Sequence, residues 1–326
     1  MYKPSVLLVV YNENPDWLMK SVESIINQTY EDYEFIIIND GSDKKETIKT
    51  LQIIGDMDHR INVFNKKNDG LTKSLNFGIE KCNGNIIFRQ DSDDWSDKHR
   101  IQIQLNYLQE NPDCILVGLT PVFCQKNGNP LWIKKLPLTH EAIVKAFETL
   151  NPFCHGSVCF RKESFDQLGG YDESLPVCQD YDLFWRMSNL GLSININEPL
   201  YFLRKTGKSI SSDRGLEQMF FDEIIKEKNN ITNDNKNIIS NDKFLLMRES
   251  FYKNHNENKY FSLIRNGDEL LLSGGILKSI SAYCKSFKYG FSKMVIFKIF
   301  RWVAWVIMPW FRHKMFSAPL ERYRFE

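Results

Sequence analysis

This 326-residue sequence predicts an α/β fold with a mainly parallel central sheet, followed by a helical C-terminal extension. Three observations predict it. Short apolar runs alternate with helix-period segments through the first half, the signature of strand–helix–strand units. Acidic residues stand directly after several of those runs: Glu13, Asp40, and Asp91 with Asp93 and Asp94. From about residue 228 the chain turns polar and turn-prone, then helix-like and increasingly aromatic.

Val6–Val10 is an apolar first strand. Asn14 can cap a helix with Pro15 in its first turn, and Leu18, Val22, Ile25 and Ile26 then fall at helical spacing. Phe35–Ile38 is a second strand ending in Asn39-Asp40-Gly41-Ser42, and Ile61–Phe64 a third. Leu71, Leu75, Ile79 and Cys82 give a helix face. Ile86–Phe88 reads as a buried parallel strand that runs into three carboxylates. Ser96 is expected to cap a helix carrying Ile101, Leu105 and Leu108, after which Ile115–Val117 returns as a strand. Periodicity weakens between 120 and 200, apart from helices predicted at 139–149, 162–168 and 180–190. The polar stretch 228–242 reads as a boundary or mobile loop, and the chain divides into a domain of residues 1–225 and a helical region of 226–326.

Composition narrows the classes. With 42% hydrophobic and 25% charged residues the chain is an ordinary globular protein. A net charge of +1 gives no reason to expect nucleic acid as a partner. Seven scattered cysteines without a Cys-x-x-Cys pair, and an N-terminus running straight into a strand, predict reduced thiols in the cytoplasm. Trp302–Phe311 carries no charge, is flanked by Lys298, Arg301, Arg312, His313 and Lys314, and is broken by Pro309. It is too short to span a bilayer. Within a segment of residues 291–315 it fits an interfacial anchor on the inner face of the membrane, and it also fits a helix packed on the protein.

The carboxyl ends of parallel strands share one edge, where open α/β sheets bind ligands, so Glu13, Asp40 and the Asp91 cluster should converge there. In an extended segment Asp91 and Asp93 point to one side and Asp94 to the other. Gathering like charges costs energy that a hard divalent ion carrying a diphosphate would offset. A solvated acidic turn capping the next helix through Ser96 or Asp97 is the simpler reading. No Gly-x-Gly-x-x-Gly follows the first strand. The Thr206-Gly207-Lys208-Ser209 string lacks the strand and glycine of a P-loop, which disfavours dinucleotide oxidoreductases and P-loop enzymes.

Five motifs in order carry a specific resemblance. They are Ser5-Val-Leu-Leu-Val-Val-Tyr-Asn-Glu13 with Ser24-Ile-Ile-Asn-Gln-Thr-Tyr30, Ile37-Ile-Asn-Asp-Gly-Ser-Asp43, Asn68-Asp-Gly-Leu-Thr-Lys-Ser-Leu-Asn-Phe-Gly-Ile79, Asp91-Ser-Asp-Asp94 and Gln179-Asp-Tyr-Asp-Leu183. Over residues 4–210 the chain resembles the family 2 glycosyltransferases of the GT-A fold. The resemblance implies a nucleotide-sugar site, UDP by expectation, made by Tyr11, Glu13, Asp40, Asn68 and Asp91. Tyr11 would stack on the base, and Asp40 would accept its ring N–H. Asp93 would bind Mn²⁺ or Mg²⁺, which neutralises the departing diphosphate. Asp180 would be the base of an inverting transfer.

Two departures stand out. Gln179 replaces the Glu that often precedes the base, and no His lies near Lys205-Thr206 to complete the metal site. His155 and Gln179 are therefore candidates for acceptor-side or metal-side roles. Lys298-Ile-Phe-Arg-Trp302 has Lys where processive relatives carry Gln, so transfer of single sugars is expected. The reading is an enzyme that adds a sugar to a glycan acceptor, in the form of a lipid-linked O-antigen or capsule precursor. The alternatives are a nucleotidyltransferase, or a catalytically silent glycan-binding subunit.

Overall fold

The computed structural model describes residues 3–206 and 215–231. The 291–315 segment and most of the predicted C-terminal region lie outside the described residues. The elements run β1 (Pro4–Val10), α1 (Pro15–Ile26), β2 (Glu34–Asp40), α2 (Lys45–Gly55), β3 (Ile61–Lys66), α3 (Leu71–Lys81) and β4 (Ile86–Asp91). Then come β5 (Trp95–Ser96), α4 (Arg100–Glu110), β6 (Cys114–Cys124), β7 (Pro130–Ile133) and α5 (His140–Ala146). After a 3₁₀ turn (His155–Ser157) follow β8 (Cys159–Arg161), α6 (Lys162–Gln167), α7 (Gln179–Leu190), β9 (Leu192–Arg204) and α8 (Gly215–Ile231).

Two compact units are distinguished. The first is built from residues 3–122 and 134–203, and the second includes the 123–133 hairpin and α8. In the sheet the strand order is β3-β2-β1-β4-β8-β6-β9-β5, with β7 paired to β6. β3, β2, β1 and β4 are parallel. β8 runs antiparallel to both β4 and β6. The sheet is thus mixed, with the predicted parallel arrangement confined to its first half.

β1 is buried along its whole length, as a strand covered on both faces must be. Its alternate side chains serve two helical layers. Val6, Leu8 and Val10, with Phe35 and Ile37 of β2, pack in one core with Leu18, Val22 and Ile25 of α1, Leu51 and Ile54 of α2, and Ile101, Leu105 and Leu108 of α4. On the opposite face α3 approaches so closely that a Cβ on Gly78 would lie 2.4 Å from Leu7 Cδ1.

Asn14 caps α1 as predicted, accepting from the Asp16 and Trp17 amides at 3.0 and 3.2 Å. Ser96 does not cap α4. It sits in β5, its hydroxyl donates to Gln90 Oε1 at 2.7 Å, and the helix starts four residues later at Arg100. Buried polar demand from Gln90 outcompetes the cap. The six described cysteines are buried, and no disulfide joins any of them. Among the described residues no helix is long and apolar enough to cross a membrane.

Candidate active site

Central β1 lies between β2 and β4, with Val10 opposite Asn39 and Val9 opposite Asp91. The chain therefore leaves the three strands at one edge. This register brings Tyr11, Glu13, Asp40 and Asp91 into one neighbourhood. Tyr11 is 53% exposed there, so its ring face is open to a ligand.

The turn after β1 is strapped to the turn after β2. Asn12 sits at φ +52, a conformation Asn tolerates better than most residues. Its Oδ1 accepts from the Asp43 and Lys44 amides, each at 3.0 Å, and its amide N–H reaches Ser42 Oγ. Glu13 Oε2 accepts from Ser92 Oγ at 3.1 Å, tying the first turn to the acidic motif. Gly41, at φ +69, lies against Asn68: a Cβ there would be 2.5 Å from the Asn68 amide nitrogen. Only glycine satisfies both the conformation and the close approach.

Asp40 is buried at the end of β2. It accepts from Lys66 Nζ at 3.0 Å and from the Asp69 and Gly70 amides at 3.1 Å each. Burial alone would raise its carboxyl, but these donors outweigh that and hold it below the usual range. Lys66 also pairs with Asp69. Because the folded-state carboxyl is depressed, its stabilisation is present above the ordinary carboxylate range and disappears as pH falls through the lowered value. Asp40→Asn is accordingly expected to reduce unfolding free energy at pH 7 by about 1.5–3 kcal/mol. Urea melts should show the gap from wild type closing on acidification.

The acidic motif does not stay extended. β4 ends at Asp91 and the chain turns, with the Asp94 amide donating to the Asp91 carbonyl at 3.4 Å. The alternation expected from a strand is therefore lost, and each carboxylate has its own surroundings. Asp91 Oδ1 accepts from Arg89 Nη2 at 2.5 Å. Asp94 is buried and accepts from the Tyr201 hydroxyl at 2.9 Å. Asp93 is half-buried.

Two buried arginines underlie the motif, and the sequence reading missed both. Arg89 also donates Nη1 to the Leu7 and Gln90 carbonyls at 3.0 and 2.9 Å. Arg100 spends its donors on neutral oxygens: Gln104 Oε1, Gln90 Oε1, Ser96 Oγ and the Arg89 and Val158 carbonyls. Burial pushes it down to about 10, still charged at neutral pH. The signal for Arg89 was available, since a charged residue inside an apolar strand needs a buried partner.

His155 Nε2 lies 3.3 Å from Arg89 Nε and 2.9 Å from the Tyr171 hydroxyl. Arginine can only donate, so Nε2 is the acceptor and the ring proton belongs on Nδ1. Burial, then the Arg89 charge, hold this imidazole well below its ordinary range. Tyr171 is buried. Its phenol is raised first by burial, against the opposing pull of Arg89, with Asp180 and Asp91 both adding negative charge around it.

Asp180 occupies the first turn of α7, after Cys178 in the left-handed region at φ +62. Its Oδ2 accepts from Asn151 Nδ2 at 2.8 Å. The neighbouring Asp182, grouped with it in the sequence, is fully buried and paired with Arg186 at 2.7 Å, which also bonds the Leu168 and Gly170 carbonyls. Asp182 holds the α6–α7 connection. Gln179, the first residue of α7, is buried.

Among the described residues no three metal-ligating side chains are grouped. A preformed cage is therefore not what these residues fit. A divalent ion brought in with a diphosphate would instead need only one carboxylate of the motif, half-buried Asp93, and would supply charge neutralisation there.

The mixed α/β sheet is similar to that of a GT-A glycosyltransferase. S. aureus TarS 1–349 solved in complex with UDP-GlcNAc superposes with a TM-score of 0.56 at 17% identity, over 88% of this chain and 89% of that one. The family model for glycosyl transferase family 2 matches residues 5–169, and the chain belongs to that family. It is a glycosyltransferase. The amylovoran biosynthesis glycosyltransferase AmsE of Erwinia amylovora is 30% identical over 213 residues, 65% of this chain and 79% of AmsE. The O-antigen biosynthesis glycosyltransferase WbnJ of Escherichia coli is 33% identical over 208 residues, 63% of this chain and 80% of WbnJ. An E. coli UDP-Gal:α-D-GlcNAc-diphosphoundecaprenol β-1,3-galactosyltransferase is 31% identical over 208 residues, 62% of this chain and 74% of that protein.

Proposed function

We propose that this glycosyltransferase transfers one sugar at a time from a UDP-sugar to a lipid-linked glycan, with inversion at the anomeric carbon. One observation carries the reading: an open aromatic ring, Tyr11, stands at the sheet edge where Asp40, Asp91 and Asp93 follow adjacent strands. Tyr11 stacks on uracil. Asp40, whose carboxylate accepts from Lys66, Ser74 and the Asp69 and Gly70 amides in the free protein, exchanges one of these donors for the ring N–H. Asp91, oriented by Arg89, faces the ribose. A divalent ion bound at Asp93 would supply charge neutralisation for the leaving diphosphate. Asp180 takes the proton of the acceptor hydroxyl as its oxygen attacks the anomeric carbon from the face opposite the leaving group. The undecaprenol-linked acceptor in one relative's name supports the acceptor class. So does the aromatic, basic sequence of residues 291–315.

A thermal-shift panel tests the donor. UDP and UDP-sugars with Mn²⁺ are expected to raise the melting temperature, and CMP or GDP to leave it unchanged. A preference for a guanine or cytosine nucleotide would overturn the assignment. For the acceptor, the intact chain should float with vesicles containing anionic lipid at low salt.

A further inference from the structure

Residues 151–157 form a short connection that touches both carboxylate groups of the site. At its start Asn151 Nδ2 donates to Asp180 Oδ2 at 2.8 Å. Four residues on, His155 accepts from Arg89, which donates to Asp91. Gly156 comes next and leaves no slack: a Cβ there would lie 1.8 Å from the Tyr201 hydroxyl oxygen and 2.6 Å from Asp91 Oδ2.

The span between these ends is held at nearly every residue. Asn151 Oδ1 accepts from the Phe153 amide at 3.0 Å, and the Pro152 carbonyl accepts from Asn195 at 3.0 Å. Phe153 is buried edge-on against Phe184 of α7, with centroids 5.5 Å apart. The Cys154 carbonyl accepts from both the amide and the hydroxyl of Ser157 at 2.9 Å, and the Ser157 carbonyl accepts from Gln104 at 3.1 Å. Asn151 also has a fixed orientation. Its oxygen meets an N–H and its nitrogen meets a carboxylate, so flipping the amide would spoil both bonds.

We infer that Asn151 is a positioning residue for the Asp180 carboxylate, and that the 151–157 loop sets the separation between that carboxylate and Asp91. The inference rests on Asp180 acting as the base. A base displaced by about 1 Å from its working position can cost roughly 10²-fold in rate. A loop fixed to both partners is what prevents such a shift.

Full-length Asn151→Asp provides the test. It keeps an acceptor for the Phe153 amide, so the loop stays closed, but it removes the donor and sets a like charge beside Asp180. Turnover should fall by about 10²-fold, with the donor KM and the UDP affinity measured by calorimetry within about 2-fold of wild type. Asn151→Ala should fall less. Placed in an Asp180→Asn background, Asn151→Ala should add almost nothing, because the two side chains act as one unit. Full turnover in both Asn151 variants, with Asp180→Asn inactive, would overturn the inference and leave the base assignment standing. Wild-type turnover in Asp180→Asn would overturn both. A parallel loss of UDP affinity, or an undiminished Asn151→Ala effect in the Asp180→Asn background, would show that the loop acts through donor binding or folding instead.

Discussion

Asp180→Asn is expected to lower turnover by about 10²–10⁴-fold while leaving UDP binding near wild type. The substitution preserves shape and keeps an oxygen facing Asn151 Nδ2, the contact that positions the wild-type carboxylate at 2.8 Å. What it removes is the capacity to accept a proton. Steady-state kinetics with saturating donor, paired with calorimetry for UDP, separates the two quantities. Collapse of UDP affinity in this variant would move Asp180 into the nucleotide site and leave the transfer without a base. Asp182→Asn makes the contrast. That residue is fully buried and paired with Arg186, so its loss should lower thermal stability.

Asp93→Ala should reduce transfer by about 10²–10³-fold and abolish the part of UDP binding that depends on Mn²⁺. The expectation follows from how the motif divides its work. Arg89 compensates Asp91 and Tyr201 holds the buried Asp94, whereas Asp93 is half-buried in the turn at the strand edge. Titrating UDP into wild type and variant, each with and without Mn²⁺, gives four affinities. Wild-type affinity should fall without the ion, and the variant's should be the same either way. An ion dependence that survives the substitution would place the ion elsewhere.

The parallel half of the fold was legible because its signals are local. Apolar runs such as Val6–Val10 and Phe35–Ile38 are buried on both faces, and Asn14 announces α1 by capping chemistry that needs nothing distant. In the antiparallel half only β6 was, through Ile115–Val117. β8 is three residues long and β5 two, too short to show a period, and both exist only because longer neighbours bond them. In β9 the run Leu192–Arg204 mixes buried and exposed residues without clean alternation. The acidic residues were legible as a set and their surroundings were not. Nothing near Asp94 in sequence points to Tyr201, and nothing near Asp180 points to Asn151. Such partners come from chain segments far apart, and one sequence does not encode them in any local spacing. Arg89 is the exception, since a charge within Ile86–Asp91 was visible from the start.

The place of β8 in the sheet also imposes an order of events on a growing chain. β6 reaches β4 only through β8, whose register sets Phe88 opposite Cys159 and Ile86 opposite Arg161. The strand that joins them is synthesised after both. At roughly 5–20 residues per second, the free edge of β4 waits several seconds for its neighbour, presenting unpaired amides and carbonyls beside a finished parallel half. During that interval the acidic turn after Asp91 has neither Tyr201 nor the 151–157 loop to hold it, so the site is the last part of this unit to take form as the chain emerges.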